Sequence, residues 1–405
     1  MQRILQGDCL KLMKETPDET YTAIVSDPPY GINYMGKRWD YDVPTVEHFE
    51  EMLRITKSGG YALIFGGSRT FHRIACNMED AGWILKDTLM WLYASGFPKS
   101  LNISNEIDKK LGAEREIIGE IQLNGTARAG GKQTTAALDK DGYEVSNASQ
   151  KITRPSSEKA KSFDGMGTGL KPSFEPIILA LKPHKKTYAD TAIDEGHSGL
   201  NIDAARIGKG YDLKEVAEEE SKKIGGDIPR FDPNDHRMQR SRHPANVLHD
   251  GSSEAKSIFA NHARAFFCSK PNRKEKEAGC ENLPAKASHK VANRKKGSKG
   301  ANNPLSGARS KFDMKNTHPT VKPIKLMQYL CSLVKQPDGA SYILDPYCGS
   351  GTTIVACKSL DMRADGFELS EEYATIARAR AGAEQPDLDS WNEKNPVDQQ
   401  LSLWD

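Results

Sequence analysis

Long apolar runs are missing from this sequence. No stretch approaches the ~18 uncharged apolar residues that cross a bilayer, and the start MQRILQGDCL has no leader-like apolar core. A membrane or secreted protein is therefore not expected. Cysteine is scarce and unpaired in pattern: seven residues, an odd number, with no CxxC spacing, which argues against a disulfide framework and against a zinc site. The histidines, among them His72, His184, His243 and His318, are scattered and read as surface or packing residues; no metal is assigned. Net charge is nearly absent as well, +2 from 57 basic and 55 acidic residues. That balance hides a segregation, because residues 270–299 hold ten Lys/Arg against three Glu, and residues 381–405 hold six acids against one Lys. A basic stretch of this kind suits a polyanionic partner.

Short β-branched or apolar runs recur near both ends: RIL (3–5), TAIVSD (22–27), YALIFGG (61–67), WILKDTLMWLY (83–93), EPIILALKP (175–183), YILDPY (342–347) and RADGFEL (363–369). These predict strands. Helical patterns lie between several of them, including VEHFEEMLRITKSGG, read as stopping at Gly59 and Gly60, and EEYATIARARAG. Alternating strands and helices predict a mostly parallel sheet covered on both faces. Residues 97–172 and 184–316 are polar and weakly periodic, and read as insertions, the second large enough for recognition; the tail after 383 reads as disordered.

Two motifs carry chemistry. Ser26-Asp27-Pro28-Pro29-Tyr30-Gly31 follows the apolar run TAIV. Its prolines fix φ and leave their carbonyls as acceptors, so a carboxylate, a carbonyl and an aromatic ring are held at one rigid point; the plainer reading is a Pro turn. Leu344-Asp345-Pro346-Tyr347-Cys348-Gly349-Ser350-Gly351-Thr352-Thr353 stands between a strand and a helix. Gly349 and Gly351 allow close backbone approach to a ligand, and an acid at the strand end suits a polar ligand group. There is no GKS/T and no full GxGxxG, which weakens NTPase and dehydrogenase readings. Glu368, 23 residues after Asp345, ends the next strand, where an acid accepts from ribose hydroxyls.

With these motifs the chain resembles the amino-methylating DNA methyltransferases that use S-adenosylmethionine (AdoMet), in the β order where DPPY comes first, the recognition region next and the glycine motif last. The resemblance covers 1–99, 173–183 and 317–383, and NYMGKRWD, GSRTFHRIACNMEDAG and LYASGFPKS resemble a phage and prophage adenine-specific branch. It implies a Rossmann-like, mostly parallel α/β sheet with permuted motif order. The implied division is a DPPY half at 1–99, a polar insertion at 100–172, an edge strand at 173–183, a target-recognition region at 184–316, an AdoMet half at 317–383 and an acidic tail at 384–405. It also implies cofactor contacts from Asp8 in GDCLKLM and from Thr320 and Lys322 in HPTVKP, beside Asp345, Pro346, Cys348, Gly349, Ser350, Gly351, Thr352 and Glu368. Phe174 stands where many relatives carry His, and is expected to stack under a base with Tyr30. Cys348 reads as a packed side chain.

The implied reaction places Asp27 and the Pro28 carbonyl as acceptors for the two N–H groups of a base amine, Pro29 as the stiffener and Tyr30 as the stacking ring, with the base flipped out of duplex DNA. Cytosine C5 methylation is rejected, since no Pro-Cys dipeptide exists. The expected product is N6-methyladenine in double-stranded DNA; N4-methylcytosine is the alternative, ahead of a protein or RNA amine methyltransferase and of a non-catalytic DNA-binding homologue. Lys270, Arg273, Lys274, Arg294, Lys295, Lys296 and Lys299 are the expected phosphate contacts. The tail residues Gln400, Leu401, Leu403 and Trp404, in QLSLW, resemble a bacterial sliding-clamp-binding pentapeptide. The expected setting is the cytoplasm of a bacterium or a phage's host, in a restriction-modification context.

Overall fold

The computed structural model describes residues 2–33, 36, 38–93, 100–123, 148–205, 244, 246–249, 266–267, 270–287 and 313–383. Thirteen strands are described: β1 Gln2–Gln6, β2 Tyr21–Ser26, β3 Thr56–Phe65, β4 Ile84–Leu92, β5 Glu116–Leu123, β6 Ala148–Arg154, β7 Phe174–Leu181, β8 Val247–His249, β9 Phe266–Phe267, β10 Lys286–Ala287, β11 Asp313–Met314, β12 Tyr342–Asp345 and β13 Arg363–Glu368. Ten α-helices accompany them: α1 Cys9–Glu15, α2 Val46–Ile55, α3 Phe71–Asp80, α4 Ile103–Leu111, α5 Glu158–Ser162, α6 Tyr188–Glu195, α7 Arg273–Glu277, α8 Ile324–Leu333, α9 Thr352–Ser359 and α10 Glu371–Ala381. Nine strands form one sheet in the order β1-β13-β12-β2-β3-β7-β4-β8-β9. Every neighbouring pair is parallel except those of β7, which runs against both β3 and β4, so the segment expected as an edge strand at 173–183 is an interior strand. The expected α/β class and largely parallel sheet are both present. Among the described residues no helix is long and apolar enough to cross a membrane.

Side-chain alternation along the central strands explains the layers. Ala23, Val25, Leu63 and Phe65 point to a cluster with Leu326 and Leu330 of α8 and Ile354 of α9. Ile24, Ala62 and Ile64 point the other way, against Met13, Phe49, Met52, Ile74 and Met78 of α1, α2 and α3. Both faces are covered, so β2 and β12 are buried at every residue and are mostly apolar, with Thr22, Ser26 and Asp345 as their buried polar residues. The chain leaves β2 toward β3 on one side, whereas β12 leads to β13 on the other. Adjacent parallel strands diverging in this way open a crevice at their carboxyl ends, the usual ligand position in such sheets.

The first helical pattern is corrected. α2 ends at Ile55, and Gly59 and Gly60 lie inside β3. Gly59 has φ +72°, and a Cβ there would stand 2.2 Å from the His184 ring; one on Gly60 would stand 2.7 Å from the Thr22 carbonyl. These glycines serve close approach within the sheet instead of stopping a helix. Within 100–172, the described residues include a buried polar centre. Fully buried Asp108 of α4 accepts from Arg115 at 2.7 Å, from the Ser156 and Ser157 amides at 3.1 and 3.0 Å and from the Ser157 hydroxyl at 2.7 Å. Burial works against the Asp108 charge, but these hydrogen bonds carry its pKa down to about 2. Described residues of the 184–316 stretch contact the core. Ser198 N donates to Gln336, and His197 Nε2 meets the Ser58 carbonyl at 3.0 Å. Glu275 of α7 accepts the first amide of α8 at 2.7 Å.

One buried ion cluster ties four strands together. Asp365 on β13 accepts from Arg3 of β1 at 2.9 and 2.7 Å, from Tyr21 of β2 at 2.9 Å and from Tyr342 of β12 at 2.5 Å. Removing the carboxylate leaves a guanidinium and two hydroxyls buried without their acceptor. Asp365→Ala should therefore destabilise the fold by about 3–5 kcal/mol in urea titration; a loss below about 1 kcal/mol would mean that the cluster is incidental.

Candidate active site

The first motif starts where β2 ends. Asp40, 2% exposed, folds it back, its Oδ1 accepting the Tyr30 and Gly31 amides at 2.7 and 3.2 Å. Gly31 takes φ +64° there, a left-handed turn that suits glycine. Asp27 Oδ1 then accepts the Tyr30 hydroxyl at 2.7 Å, and Oδ2 accepts Lys322 Nζ at 2.5 Å. Lys322 comes from the segment leading into α8. Its ammonium is also 3.3 Å from Glu175 Oε2, at the start of β7, and 3.2 Å from the Tyr30 oxygen. Phe65 and Tyr30 offer it ring faces at 4.9 and 5.4 Å.

One lysine thus serves two carboxylates. Burial opposes the Lys322 charge, yet Asp27 and Glu175 outweigh it and hold its pKa above the ordinary value. Burial also disfavours ionised Glu175, but Lys322, Lys270 and the Tyr93 hydroxyl bring its pKa below the usual carboxylate value. Asp27 moves the other way: burial lifts it, Lys322 pulls against that lift, and neighbouring Glu175 adds to it.

The second motif turns at the end of β12. Asp345, expected to bind the cofactor, is 2% exposed and has its oxygens engaged inside the fold. Oδ1 accepts from Ser26 Oγ at 2.6 Å and the Tyr347 amide at 3.2 Å, and Oδ2 accepts from Thr353 Oγ1. Burial raises its pKa to about 6. It organises the turn. Gly349, at φ +51°, donates its amide to Glu368 Oε2 at 2.9 Å, while Ser370 N donates to Oε1 at 2.8 Å. Each Glu368 oxygen keeps a further lone pair. Burial dominates over these bonds and lifts the Glu368 pKa to about 7. Gly351 has φ +75°, and a Cβ there would meet Ala377 of α10 at 2.9 Å, so helix packing also requires glycine at this position. Arg380 takes the Ser350 carbonyl and hydroxyl at 2.7 and 3.0 Å and the Thr352 hydroxyl at 3.1 Å, fixing both residues from behind. Cys348 is 5% exposed and its thiol is pushed well up by burial, as a packed side chain.

Both motifs open into one cavity of about 1260 Å³. Asp27, Pro28, Pro29 and Tyr30 line one part, with Phe174 and Glu175; Pro346, Cys348, Gly349 and Glu368 line another, with Asp8 and Thr320. Asp8 also caps α1, accepting the Lys11 amide at 3.1 Å. The residues fit a nucleoside-bearing cofactor: a carboxylate with spare lone pairs, a glycine turn and apolar neighbours such as Phe367 and Leu369, with no Lys or Arg in the turn to hold a phosphate.

Of the expected phosphate contacts, Lys270 lines this cavity with Nζ 3.8 Å from the Tyr93 ring centre, and Lys274 is exposed. Arg273 is a strut, bonded to Glu277 at 3.1 Å and to the Asp313 carbonyl at 2.7 Å. Arg294, Lys295, Lys296 and Lys299, and the tail residues Gln400, Leu401, Leu403 and Trp404, lie outside the described residues. Two functional residues escaped the sequence reading. Asp40 had no signal beyond its place in NYMGKRWD; Glu175 had one, an acid opening the apolar strand EPIILAL.

The chain is 45% identical over 64 residues to the type II methyltransferase M.SmaI of Serratia marcescens, covering 16% of this chain and 21% of that one. It is 46% identical over 67 residues to M2.DpnII of Streptococcus pneumoniae, covering 16% and 24%. The chain thus matches only about a fifth to a quarter of the length of these relatives. Among solved structures, the M1.HpyAVI–SAM complex aligns over 94% of this chain and 98% of its own at 15% identity and TM-score 0.41. The cytosine-N4-specific PvuII DNA methyltransferase aligns over 97% and 89% at 14% identity and TM-score 0.44. The family model described as DNA methylase, for N6 and N4 methyltransferases, matches residues 21–379, most of the chain, and the chain belongs to that family of AdoMet-dependent enzymes.

Proposed function

We propose that this protein methylates the N6 amine of adenine at specific sites in duplex DNA, with the target base flipped into the cavity. The observation supporting this is that Asp27, a carboxylate beside two prolines and an aromatic ring, shares one cavity with Glu368 at the point where β2 and β12 diverge. AdoMet supplies an electrophilic methyl group on a sulfonium.

The chain's own residues do the rest. A base amine is a weak nucleophile because its lone pair is delocalised into the ring. Asp27 and the Pro28 carbonyl each accept one N–H, favouring a pyramidal nitrogen and stabilising the positive charge that builds there. Pro29 stiffens the support, and Tyr30 and Phe174 offer ring faces to the base. Glu368 accepts from the ribose hydroxyls of the cofactor, with Asp8 and Thr320 further along the cavity. Adenine and cytosine amines both satisfy this scheme; Asp, not Ser, before Pro-Pro favours adenine. Phosphate contacts from the basic stretch, and tethering to a sliding clamp through residues 400–404, belong to the same proposal and rest on the sequence.

Asp27→Ala should leave AdoMet affinity within about twofold while lowering turnover by on the order of 10² to 10³, read by labelled-methyl transfer and calorimetry. Turnover near wild type would remove Asp27 from the chemistry. Hydrolysing wild-type-methylated DNA to nucleosides should release N6-methyladenine by mass spectrometry; N4-methylcytosine instead would reassign the base. Because only ionised Glu368 accepts two hydroxyls, its pKa of about 7 makes AdoMet affinity rise with pH through that value. Below it, affinity should fall toward about tenfold per pH unit. Glu368→Gln should flatten the profile, and a wild-type profile flat from pH 6 to 8 would exclude the ribose role.

A further inference from the structure

Both oxygens of Asp27 are already engaged in the resting site. Tyr30 occupies Oδ1 at 2.7 Å and Lys322 occupies Oδ2 at 2.5 Å. If Asp27 is to accept a base N–H, as proposed above, the incoming amine competes with the ammonium held 2.5 Å from Oδ2, and an ammonium displaced with no second partner would be buried at a cost. Glu175 offers the alternative, with Oε2 3.3 Å from Lys322 Nζ and 3.3 Å from the Tyr30 hydroxyl. Both groups that cap Asp27 therefore already touch a second carboxylate. Sheet pairing opposite Trp91 holds the Glu175 backbone, and the Tyr93 hydroxyl holds its carboxylate.

We infer that Glu175 is a positioning residue for this reaction: it takes over the Lys322 ammonium and the Tyr30 hydroxyl when a base amine claims Asp27. The inference rests on Asp27 being the amine acceptor. The exchange breaks one ion pair and tightens another, with no net change of charge or protons. It also explains why two acids and one lysine share the site: a lone Asp27–Lys322 pair would bind itself in preference to substrate.

The groups facing Asp27 are Lys322 from the segment before α8, Tyr30 from its own motif, Glu175 from β7 and Asp345 from β12; Lys270 and Tyr93 face it only through Glu175. Removing Glu175 takes a like charge away from Asp27, and removing Lys322 takes away an opposite one. The two changes therefore displace Asp27 titration in opposite directions.

The test measures kcat at saturating AdoMet from pH 5 to 9, with unmethylated plasmid DNA and labelled AdoMet, for wild type, Glu175→Gln, Glu175→Asp, Lys322→Met and Asp27→Ala. Glu175→Gln should lower kcat by about 30-fold or more with KM for AdoMet within about twofold. Its acid limb should move to lower pH, that of Lys322→Met to higher pH, and Glu175→Asp should recover part of the rate. If Asp27→Ala is inactive while Glu175→Gln keeps the wild-type rate and limb, the positioning role is wrong and the catalytic assignment stands. Limbs moving in the same direction in the Glu175→Gln and Lys322→Met variants would likewise overturn it. An active Asp27→Ala variant overturns both.

Discussion

Ser26 Oγ donates to Asp345 Oδ1 at 2.6 Å, a buried hydrogen bond between the carboxyl ends of two neighbouring parallel strands. Everything around the cavity depends on that junction. One motif leaves from Ser26 and the other from Asp345, so the bond sets how the Asp27 carboxylate and the Gly349 turn face each other across the divergence of β2 and β12. A charged acid this deeply buried is tolerable only because Ser26, Tyr347 and Thr353 all donate to it. Its carboxylate holds the two strand ends together, at the wall of the same cavity that Glu368 lines.

The junction also makes sense of the chain order. β12 and β13, from the last part of the sequence, insert between β1 and β2 from the first. A sheet of this kind is a spatial arrangement, indifferent to which loop is cut, so motif order along the chain can be permuted while the crevice keeps its place. Asp365 shows the same closure: it joins Arg3 at one end of the sequence to Tyr342 near the other through one carboxylate.

Electrostatics divides the cavity. Where DPPY lies, two carboxylates share Lys322, and the balance holds Glu175 ionised while Asp27 is lifted. At the other end, Glu368 stands near neutrality with only backbone donors and a spare lone pair on each oxygen. The first environment is built around charge, the second around neutral backbone donors.

The sequence by itself determined the strands of the main sheet near both chain ends, their burial on two faces, the two motifs and the acid one strand beyond. These are local or short-range properties: unbroken apolar runs between turn residues, prolines after an acid, glycines before a helix. α10 was legible in the same way, from EEYATIARARAG to Glu371–Ala381. Tertiary structure alone decided what depends on partners far along the chain. Gly59 and Gly60 look like a helix stop until His184 and Thr22 close over them. That Ala377 packs on Gly351, and that Ser26 and Thr353 both donate to Asp345, could not be read from the motif. Asp108 and its serines hold an insertion whose periodicity shows nothing, and Glu175 joins Asp27 across 148 residues through β7. Polar side chains carry no period that betrays a distant partner; their meaning is set by which donors and charges the fold brings within about 3 Å.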